Sequence, residues 1–216
     1  MNVPLIILGA GGHARVIIDA LLPSGRAIVG IVDNNPALEG RLIMGVPIIG
    51  DDQVVLRQSP QQVELVNGLG AIRSMQPRQS LWDKFKNLGY HFANVTHPAA
   101  TVALDTQAAE GVQIMAGAVI QIGSHIGVNS IINTKASVDH DCRIGNHVHI
   151  APGATLSGGV CIGDNVHIGT GAVIIQGIRI GHNSVIAAGA VVINNVPDDA
   201  LVMGVPGKVV RYEGLA

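Results

Sequence analysis

The chain has 216 residues, enough for one domain of ordinary size or two small ones. Its formal net charge of -2 gives no basic surface, so nucleic acid is not expected among its partners. Two cysteines are too few for a disulfide framework, and glycine or polar residues interrupt every long apolar run. The composition therefore predicts a protein of the reducing cytoplasm that does not insert into a membrane.

Residues 1–95 predict a small parallel α/β domain, because short apolar runs indicate strands and apolar-periodic segments indicate helices. The strands are expected at 4–8, 27–32, 63–66 and 91–95, and the helices at 16–22 and 80–88. The opening order of strand, helix and strand carries a glycine-rich turn, residues 9–14, at the start of the first helix.

The glycine-rich turn is a candidate phosphate-binding site, since backbone N–H groups at a helix N-terminus suit a phosphate or pyrophosphate. Ligands of open parallel sheets bind outside the carboxyl ends of the strands. The residues expected at this ligand edge are Gly11, Gly12, His13, Asp33, Asn34 and Gly68. The G-x-G-x-x-A pattern followed by Asp33 would by itself indicate NAD. A glycine turn that serves only the chain geometry is the alternative without a ligand.

A six-residue repeat dominates residues 96–216. Every sixth residue from position 114 is a branched aliphatic, without any change of register. These residues are Ile114, Ile120, Ile126, Ile132, Val138, Ile144, Ile150, Leu156, Ile162, Ile168, Ile174, Ile180, Ile186 and Val192. The position four residues later is nearly always small or β-branched, and glycine often follows the aliphatic. No aromatic residue occurs between 93 and 211, as expected of a thin core of aliphatic side chains.

A period of six fits neither an α-helix nor simple strand alternation. It is typical of a parallel β-helix, in which each hexad forms one flat face and one turn and three hexads complete a triangular coil. We expect the aliphatic to fill the axis and the following glycine to serve the sharp turn. The predicted fold is a Rossmann-like α/β half domain followed by an all-β left-handed parallel β-helix.

Three segments carry a family resemblance. They are residues 7–13 (ILGAGGH), residues 133–145 (NTKASVDHDCRIG) with His149 after them, and residues 204–208 (GVPGK). Together they resemble the sialic-acid acetyltransferase-like sugar O/N-acyltransferases, and most closely the bacterial UDP-4-amino-sugar N-acetyltransferases of bacillosamine synthesis. The resemblance covers essentially the whole chain. That family usually has alanine where Gly207 stands, and its closest members have glutamate where Asp141 stands.

The resemblance implies a homotrimer with active sites between neighbouring solenoids, and acetyl-CoA as the cosubstrate. It implies that His140 is the catalytic base, that Asp141 tunes it, and that Asn133 is a further active-site residue. The residues expected on the acetyl-CoA side are His149, Gly158, Thr170, Ala188 and Lys208. The nucleotide of a UDP-amino sugar would bind at the ligand edge of the N-terminal domain.

His140 has the chemistry of a general base for acyl transfer to an amine, because a histidine with a pKa near 6.5 accepts a proton at neutral pH. A carboxylate hydrogen-bonded to the ring raises its basicity and fixes its tautomer. Asp139 and Asp141 both flank His140, and the resemblance favours Asp141. Gly158 lies three hexads further on, one coil above, so its N–H is a candidate oxyanion donor. The unusual glycine placement at residues 157–159 predicts a locally opened backbone.

Most other histidines and both cysteines are expected to be inert. Outward hexad positions predict solvated surface roles for His125, His147, His167 and His182. His149 and His167 are expected to stack, but they lack a third ligand, so no metal site is predicted. Cys142 is expected to fill the core, and Cys161 has no basic partner that would activate it.

The leading hypothesis is N-acetylation of a UDP-linked 4-amino sugar by acetyl-CoA, with His140 as the base. O-acetylation of a sialic acid and N-acetylation of a GDP-linked amino sugar remain alternative activities. A non-catalytic hexad scaffold is disfavoured because a scaffold has no need of His140, its acid and Asn133 together. An NAD-dependent oxidoreductase is disfavoured because the solenoid offers no hydride chemistry.

Overall fold

The computed structural model describes residues 3–71 and 74–211. Its N-terminal part contains a four-stranded parallel sheet, in which the strands lie in the order Ile28–Val32, Leu5–Leu8, Glu64–Asn67 and His91–Phe92. The elements are β1 (Leu5–Leu8), α1 (Gly12–Leu21), β2 (Ile28–Val32), β3 (Leu42–Ile43), β4 (Val46–Pro47), α2 (Asp52–Leu56), β5 (Glu64–Asn67), α3 (Gln76–Asn87) and β6 (His91–Phe92). Two short 3-10 turns lie at Leu22–Ser24 and Pro36–Leu38. The sequence did not predict β3, β4 or α2.

Strand β1 is buried on both faces because helices cover the sheet from both sides. Leu5 and Ile7 pack with α1 residues such as Ile17, whereas Ile6 and Leu8 pack with Trp82 and Phe85 of α3. This division follows from the two-residue side-chain period of a strand. The carboxyl ends of β1, β2 and β5 lie side by side and form the predicted ligand edge.

The single strand predicted at 91–95 is wrong in one respect. His91–Phe92 pairs with β5, whereas Val95–Thr96 pairs with Gln113–Ile114 and belongs to the solenoid. The two pairs of residues therefore join two different sheets, and the passage between the two parts of the molecule takes only two residues.

The solenoid is a left-handed parallel β-helix with three sheets. Within each sheet a strand pairs with the strand that lies three hexads later in the chain; Val119, for example, pairs with Ser137. The first sheet contains Val95–Thr96, Gln113–Ile114, Ile131–Ile132, His149–Ile150, His167–Ile168, Val185–Ile186 and Leu201–Met203. The second contains Thr101–Val102, Val119–Ile120, Ser137–Val138, Thr155–Leu156, Val173–Ile174 and Val191–Val192. The third contains Gln107–Ala108, His125–Ile126, Arg143–Ile144, Cys161–Ile162 and Arg179–Ile180. A last strand, Lys208–Arg211, pairs antiparallel with Leu201–Met203.

The predicted inward series fills the axis: the aliphatics from Ile114 to Val192 form one buried cluster with the small residues four positions later. Cys142 belongs to this cluster, where burial raises the pKa of its thiol to about 11. Among the described residues no helix has the length and apolar character required to cross a membrane.

The role expected for the glycine after each aliphatic is wrong. Gly127 and Gly145 do not adopt positive φ; the left-handed corner residue comes two positions later, as at Asn129 and His147. A Cβ on Gly127 would lie 2.5 Å from the backbone of Gly145 in the next coil. These glycines are therefore required by the close approach of stacked coils rather than by the turn conformation.

The N-terminal domain covers one side of the prism. Met115 and Val95 of the first sheet share a buried cluster with α1. Trp82 of α3 contacts His147 at the corner between the third and first sheets. The first sheet and this corner are thus the covered side of the solenoid, and the corner between the second and third sheets lies opposite.

Candidate active site

His140 and Asp141 form a hydrogen-bonded pair on the corner between the second and third sheets. Nδ1 of His140 lies 2.8 Å from Oδ2 of Asp141, and the ring is about half exposed with 48% accessibility. Because the carboxylate only accepts, Nδ1 carries the proton and Nε2 is left as the free base. The hydrogen bond to Asp141, with the charge of Asp139, raises the pKa of His140 above its ordinary value.

Two glycines make room for this pair. A Cβ on Gly158 would lie 2.6 Å from Cε1 of His140 and closer still to Nε2. On the coil below, a Cβ on Gly123 would overlap Oδ1 of Asp141. The pair is therefore held between neighbouring coils, with Nε2 facing the Gly158 backbone.

The backbone at residues 157–159 is regular, so the expectation of a locally opened coil is wrong. Gly159 takes the left-handed corner conformation with φ 67°, and its N–H donates to the carbonyl of His140 at 2.8 Å. Gly158 is buried, and no acceptor among the described residues takes a hydrogen bond from its N–H. The N–H of Gly158 therefore has no partner among the described residues, and Gly158 itself lies against the His140 ring.

His149 lies on the first sheet, on the side covered by the N-terminal domain, and is buried. Its Nε2 accepts from Nδ2 of Asn133 at 3.0 Å, and its Nδ1 donates to the Ala71 carbonyl at 3.0 Å. Burial, followed by the charges of His167 and His13, lowers the pKa of His149 to about 3. Within one chain Asn133 thus joins His149, at a different corner from His140.

The ligand edge brings the predicted N-terminal residues together. Oδ2 of Asp33 accepts from the N–H of Ala10 at 2.8 Å, which ties the glycine turn to the end of β2. Gly68 packs on the end of β1, where a Cβ would lie 2.7 Å from the Leu8 carbonyl. A Cβ on Gly11 or Gly12 meets nothing within 4 Å, so the protein fold itself does not require glycine there. Asn34 is exposed beside Asp33.

His13 connects the ligand edge to the solenoid. Its Nε2 donates to Oε1 of Gln113 at 2.7 Å, and Nε2 of Gln113 donates to the Asn67 carbonyl at 2.8 Å. Burial, followed by the positive charge of Arg78, lowers the pKa of His13 to about 4. The ring is therefore neutral at pH 7 and does not supply a positive charge for a phosphate.

The other residues expected on the acetyl-CoA side lie away from the corner that carries Gly158 and His140. Thr170 and Ala188 are exposed, one coil apart, on the corner between the first and second sheets. Lys208 is exposed in the last strand at the end of the solenoid. These residues and His140 do not meet within one chain.

Two further predictions have clear outcomes. His147 is buried, not solvated, because Trp82 covers its ring and its Nδ1 lies 3.0 Å from Nδ2 of Asn129. His149 and His167 stack as predicted, with ring centroids 5.0 Å apart. Among the described residues no group of three His, Cys, Asp or Glu side chains is arranged to hold a metal ion.

Comparison with known proteins gives consistent matches along the chain. Residues 4–85 match the model of the PglD N-terminal domain family. GDP-perosamine N-acetyltransferase of Escherichia coli O157:H7 is 31% identical over 156 residues, covering 70% of this chain and 69% of that protein. The chain belongs to the bacillosamine-type family of sugar N-acetyltransferases.

Solved structures extend this likeness over both parts of the sugar N-acetyltransferase. PerB from Caulobacter crescentus, in complex with CoA and GDP-perosamine, is 38% identical with a TM-score of 0.87, covering 96% of this chain and 97% of PerB. The acetyltransferase domain of PglB from Neisseria gonorrhoeae FA1090, in complex with acetyl coenzyme A, is 34% identical with a TM-score of 0.89, covering 97% and 100%. The predicted fold and the predicted acetyltransferase activity are thereby confirmed.

Sequence reasoning missed several polar residues of this acetyltransferase. Asn67, Arg78, Gln113 and Asn129 are buried between the two parts of the molecule. The repeat gave no signal for the two solenoid residues. Gln113 occupies the same outward hexad position as the exposed Arg143, and Asn129 occupies the same left-handed corner position as Asn183.

Proposed function

We propose that this chain transfers the acetyl group of acetyl-CoA to the amine of a nucleotide-linked 4-amino sugar, with GDP as the first candidate nucleotide. The observation that carries the proposal is the exposed His140–Asp141 pair, which lies against Gly158, a residue whose N–H has no partner among the described residues. A GDP-linked sugar is favoured because the relative from Escherichia coli O157:H7 is a GDP-perosamine N-acetyltransferase and because the structure of PerB contains GDP-perosamine.

The proposed reaction uses Nε2 of His140 as the general base. The neutral sugar amine attacks the thioester carbon, and its proton passes to Nε2 as the tetrahedral intermediate forms. The N–H of Gly158 stabilises the oxyanion. Collapse breaks the C–S bond, and the proton held on His140 neutralises the departing thiolate, so the products are the N-acetyl sugar and CoA.

The nucleotide is proposed to bind at the ligand edge. Gly11 and Gly12 leave open space at the start of α1, where backbone N–H groups suit a diphosphate. Asp33 and Asn34 at the end of β2 are placed for hydroxyl groups or the base. The neutral His13 has an Nδ1 lone pair, which suits a hydroxyl donor rather than a phosphate.

The active unit is proposed to be a homotrimer, because one chain does not bring its two substrate sites together. The N-terminal domain covers the first sheet, and His140 lies on the opposite corner of the prism. Exposed apolar side chains flank His140 on that corner, including Ile122 at 61% and Ile175 at 40%. A neighbouring chain placed there would bury them and bring its Asn133, Thr170 and Ala188 corner toward this chain's His140.

A mixing experiment tests the shared site. A variant His140→Asn and a variant Gly12→Leu, each inactive alone, should regain part of the activity when co-expressed, since some mixed interfaces contain both intact halves. Light scattering should give a mass three times that of one chain. A monomeric active protein would contradict the trimer.

A UDP-linked 4-amino sugar is the second candidate, because it is the substrate class that the sequence resemblance to the UDP-4-amino-sugar N-acetyltransferases implies. Both described cysteines are free, which fits the reducing cytoplasm as the predicted compartment.

Thiol release from acetyl-CoA tests the activity and the nucleotide together. GDP-perosamine and a UDP-4-amino sugar should be compared at equal concentration, and we expect faster thiol release with GDP-perosamine. The variant His140→Asn should reduce turnover by about 10²–10⁴. His182 is exposed, so His182→Asn serves as the matched control and should leave turnover unchanged. Absence of thiol release with both sugars, or normal turnover of His140→Asn, would overturn the proposal.

A further inference from the structure

A buried polar seam joins the carboxyl end of β5 to the solenoid. We define the interdomain seam as Asn67, Arg78, Gln113 and Asn129, none of which is more than 1% exposed. Asn67 and Arg78 belong to the N-terminal domain, and Gln113 and Asn129 belong to the solenoid. None of the four follows from the apolar patterns that build either part.

Arg78 is the centre of the seam. Its Nη1 donates to the carbonyls of Asn67 at 2.9 Å and Leu69 at 2.6 Å, and its Nε donates to the carbonyl of Asn129 at 3.2 Å. Within the described part of the chain no carboxylate pairs with it. Burial lowers the pKa of Arg78 to about 9, so the guanidinium remains charged at neutral pH.

A buried cation without a carboxylate is an unfavourable way to gain stability, because its desolvation is not offset by an ion pair. A guanidinium does, however, hold several acceptors in one fixed planar arrangement. The acceptors here are the two carbonyls on either side of Gly68 and one carbonyl of a solenoid corner. The arrangement therefore fixes a loop of the ligand edge against the solenoid.

The side chains of the seam reinforce the same loop. Nδ2 of Asn67 donates to the Arg78 carbonyl at 2.9 Å and to Oδ1 of Asn129 at 3.2 Å, while its Oδ1 accepts from the N–H of Leu69 at 3.2 Å. Gln113 holds the Asn67 carbonyl with its Nε2 and His13 with its Oε1. The seam thus reaches both sides of the ligand edge, the Gly68 loop and the first turn of α1.

We propose that Arg78 and Asn129 are positioning residues for the nucleotide sugar: they fix the 67–69 loop, and with it the ligand edge, relative to the solenoid. This inference rests on the proposed function. It adds the residues that determine how the ligand edge of the N-terminal domain is aligned with the solenoid. Neither residue contacts the reacting atoms, so their loss should weaken nucleotide-sugar binding while acetyl-CoA binding is unchanged.

Asn129→Gly is the cleanest test, because Asn129 has φ 55° and glycine adopts that conformation without strain. The change removes only the side-chain contacts with Asn67 and His147. Asn183→Gly is the matched control: Asn183 has φ 57° at an exposed corner far along the solenoid. We expect the KM for GDP-perosamine to rise about fivefold in Asn129→Gly and to stay the same in Asn183→Gly, since one of the two hydrogen bonds lost in Asn129→Gly, that with Asn67, holds the loop.

Arg78 is tested with Arg78→Lys and Arg78→Met against Arg26→Met. Arg26 bonds to the Val3 carbonyl and to Glu64 at the other end of the same sheet. All three changes should lower the Tm, but only the Arg78 variants should raise the KM for GDP-perosamine, by about tenfold or more. Arg78→Lys should be the milder of the two, and the KM for acetyl-CoA should stay within about twofold in every variant.

Calorimetric titration with GDP and with UDP, without any acetyl donor, keeps this test separate from the activity. If wild type binds a nucleotide but releases no thiol, the proposed reaction fails, and the seam is still judged from the nucleotide Kd of the variants. If Arg78→Met does not fold, Arg78→Lys and Asn129→Gly decide. The positioning role would be overturned if Arg78→Lys and Asn129→Gly both lowered the Tm but left the KM for GDP-perosamine and the nucleotide Kd unchanged. It would also be overturned if the wild-type chain bound neither GDP nor UDP.

Discussion

The carboxylate of Asp141 holds the imidazole of its immediate sequence neighbour, His140, with Oδ2 2.8 Å from Nδ1. Adjacent residues of a strand point to opposite faces and do not meet in this way. Here the two lie on a solenoid corner, and Asp141 takes the left-handed conformation with φ 58°. The corner turns the carboxylate back toward the ring and leaves Nε2 of His140 without a hydrogen-bond partner among the described residues, so that it can act as the base.

The pH dependence of turnover should report this contact. A base must be unprotonated to act, and Asp141 raises the pKa of His140. Turnover should therefore fall as the pH drops through a value above the ordinary histidine pKa of about 6.5. In Asp141→Asn the acid limb of the pH–rate profile should move to lower pH, with lower maximal turnover because the tautomer is less well fixed. An unchanged acid limb would show that Asp141 does not tune the base.

Gly158→Ala should impair catalysis without unfolding the protein. The new Cβ would lie 2.6 Å from Cε1 of His140, and the half-exposed ring can move outward into solvent. A displacement of about 1 Å at a reacting group costs on the order of 10² in rate, so kcat should fall by about that factor. Gln176→Ala, an exposed change one coil above, is the control and should have wild-type kcat. A wild-type kcat in Gly158→Ala would mean that catalysis does not use the position of the His140 ring beside Gly158.

Gly12→Ala and Gly68→Ala should have opposite effects on stability and a common effect on binding. A Cβ on Gly12 meets nothing within 4 Å, and alanine in the first turn of α1 favours the helix, so the Tm should be kept or raised slightly. A Cβ on Gly68 would lie 2.7 Å from the Leu8 carbonyl, so the Tm of Gly68→Ala should fall below that of the wild type. Calorimetry with GDP should show weaker binding in both. Full GDP affinity in Gly12→Ala would exclude the glycine turn as the diphosphate site.

Acid should loosen the docking of the N-terminal domain. Burial lowers the pKa of His149 to about 3 and, with Arg78, that of His13 to about 4. Between these values and about 6.5 the unfolded chain binds more protons than the folded chain, so stability falls as the pH drops below about 6.5. The Tm of His149→Gln should depend less steeply on pH between about 6.5 and 4 than that of wild type. An equal slope for both proteins would contradict this assignment.

The sequence determined the solenoid almost completely. A step of six places Ile114 and the thirteen aliphatics after it on the axis, and the structure buries all of them. The same arithmetic placed Gly158 above His140, because each coil consists of three hexads. The neighbouring acid of His140 was also visible, since it depends only on local chain geometry and on the family motif.

Only the tertiary structure decided what covers the outside of the solenoid. The six-residue period says that His147 and His149 face outward, but not that Trp82 and Ala71 bury them. The contact of His149 with Ala71 joins residues 78 positions apart, and that of Arg78 with Asn129 joins residues 51 apart. Such contacts depend on how a separate domain docks. No local period encodes that docking, whereas the aliphatic axis is encoded in every hexad.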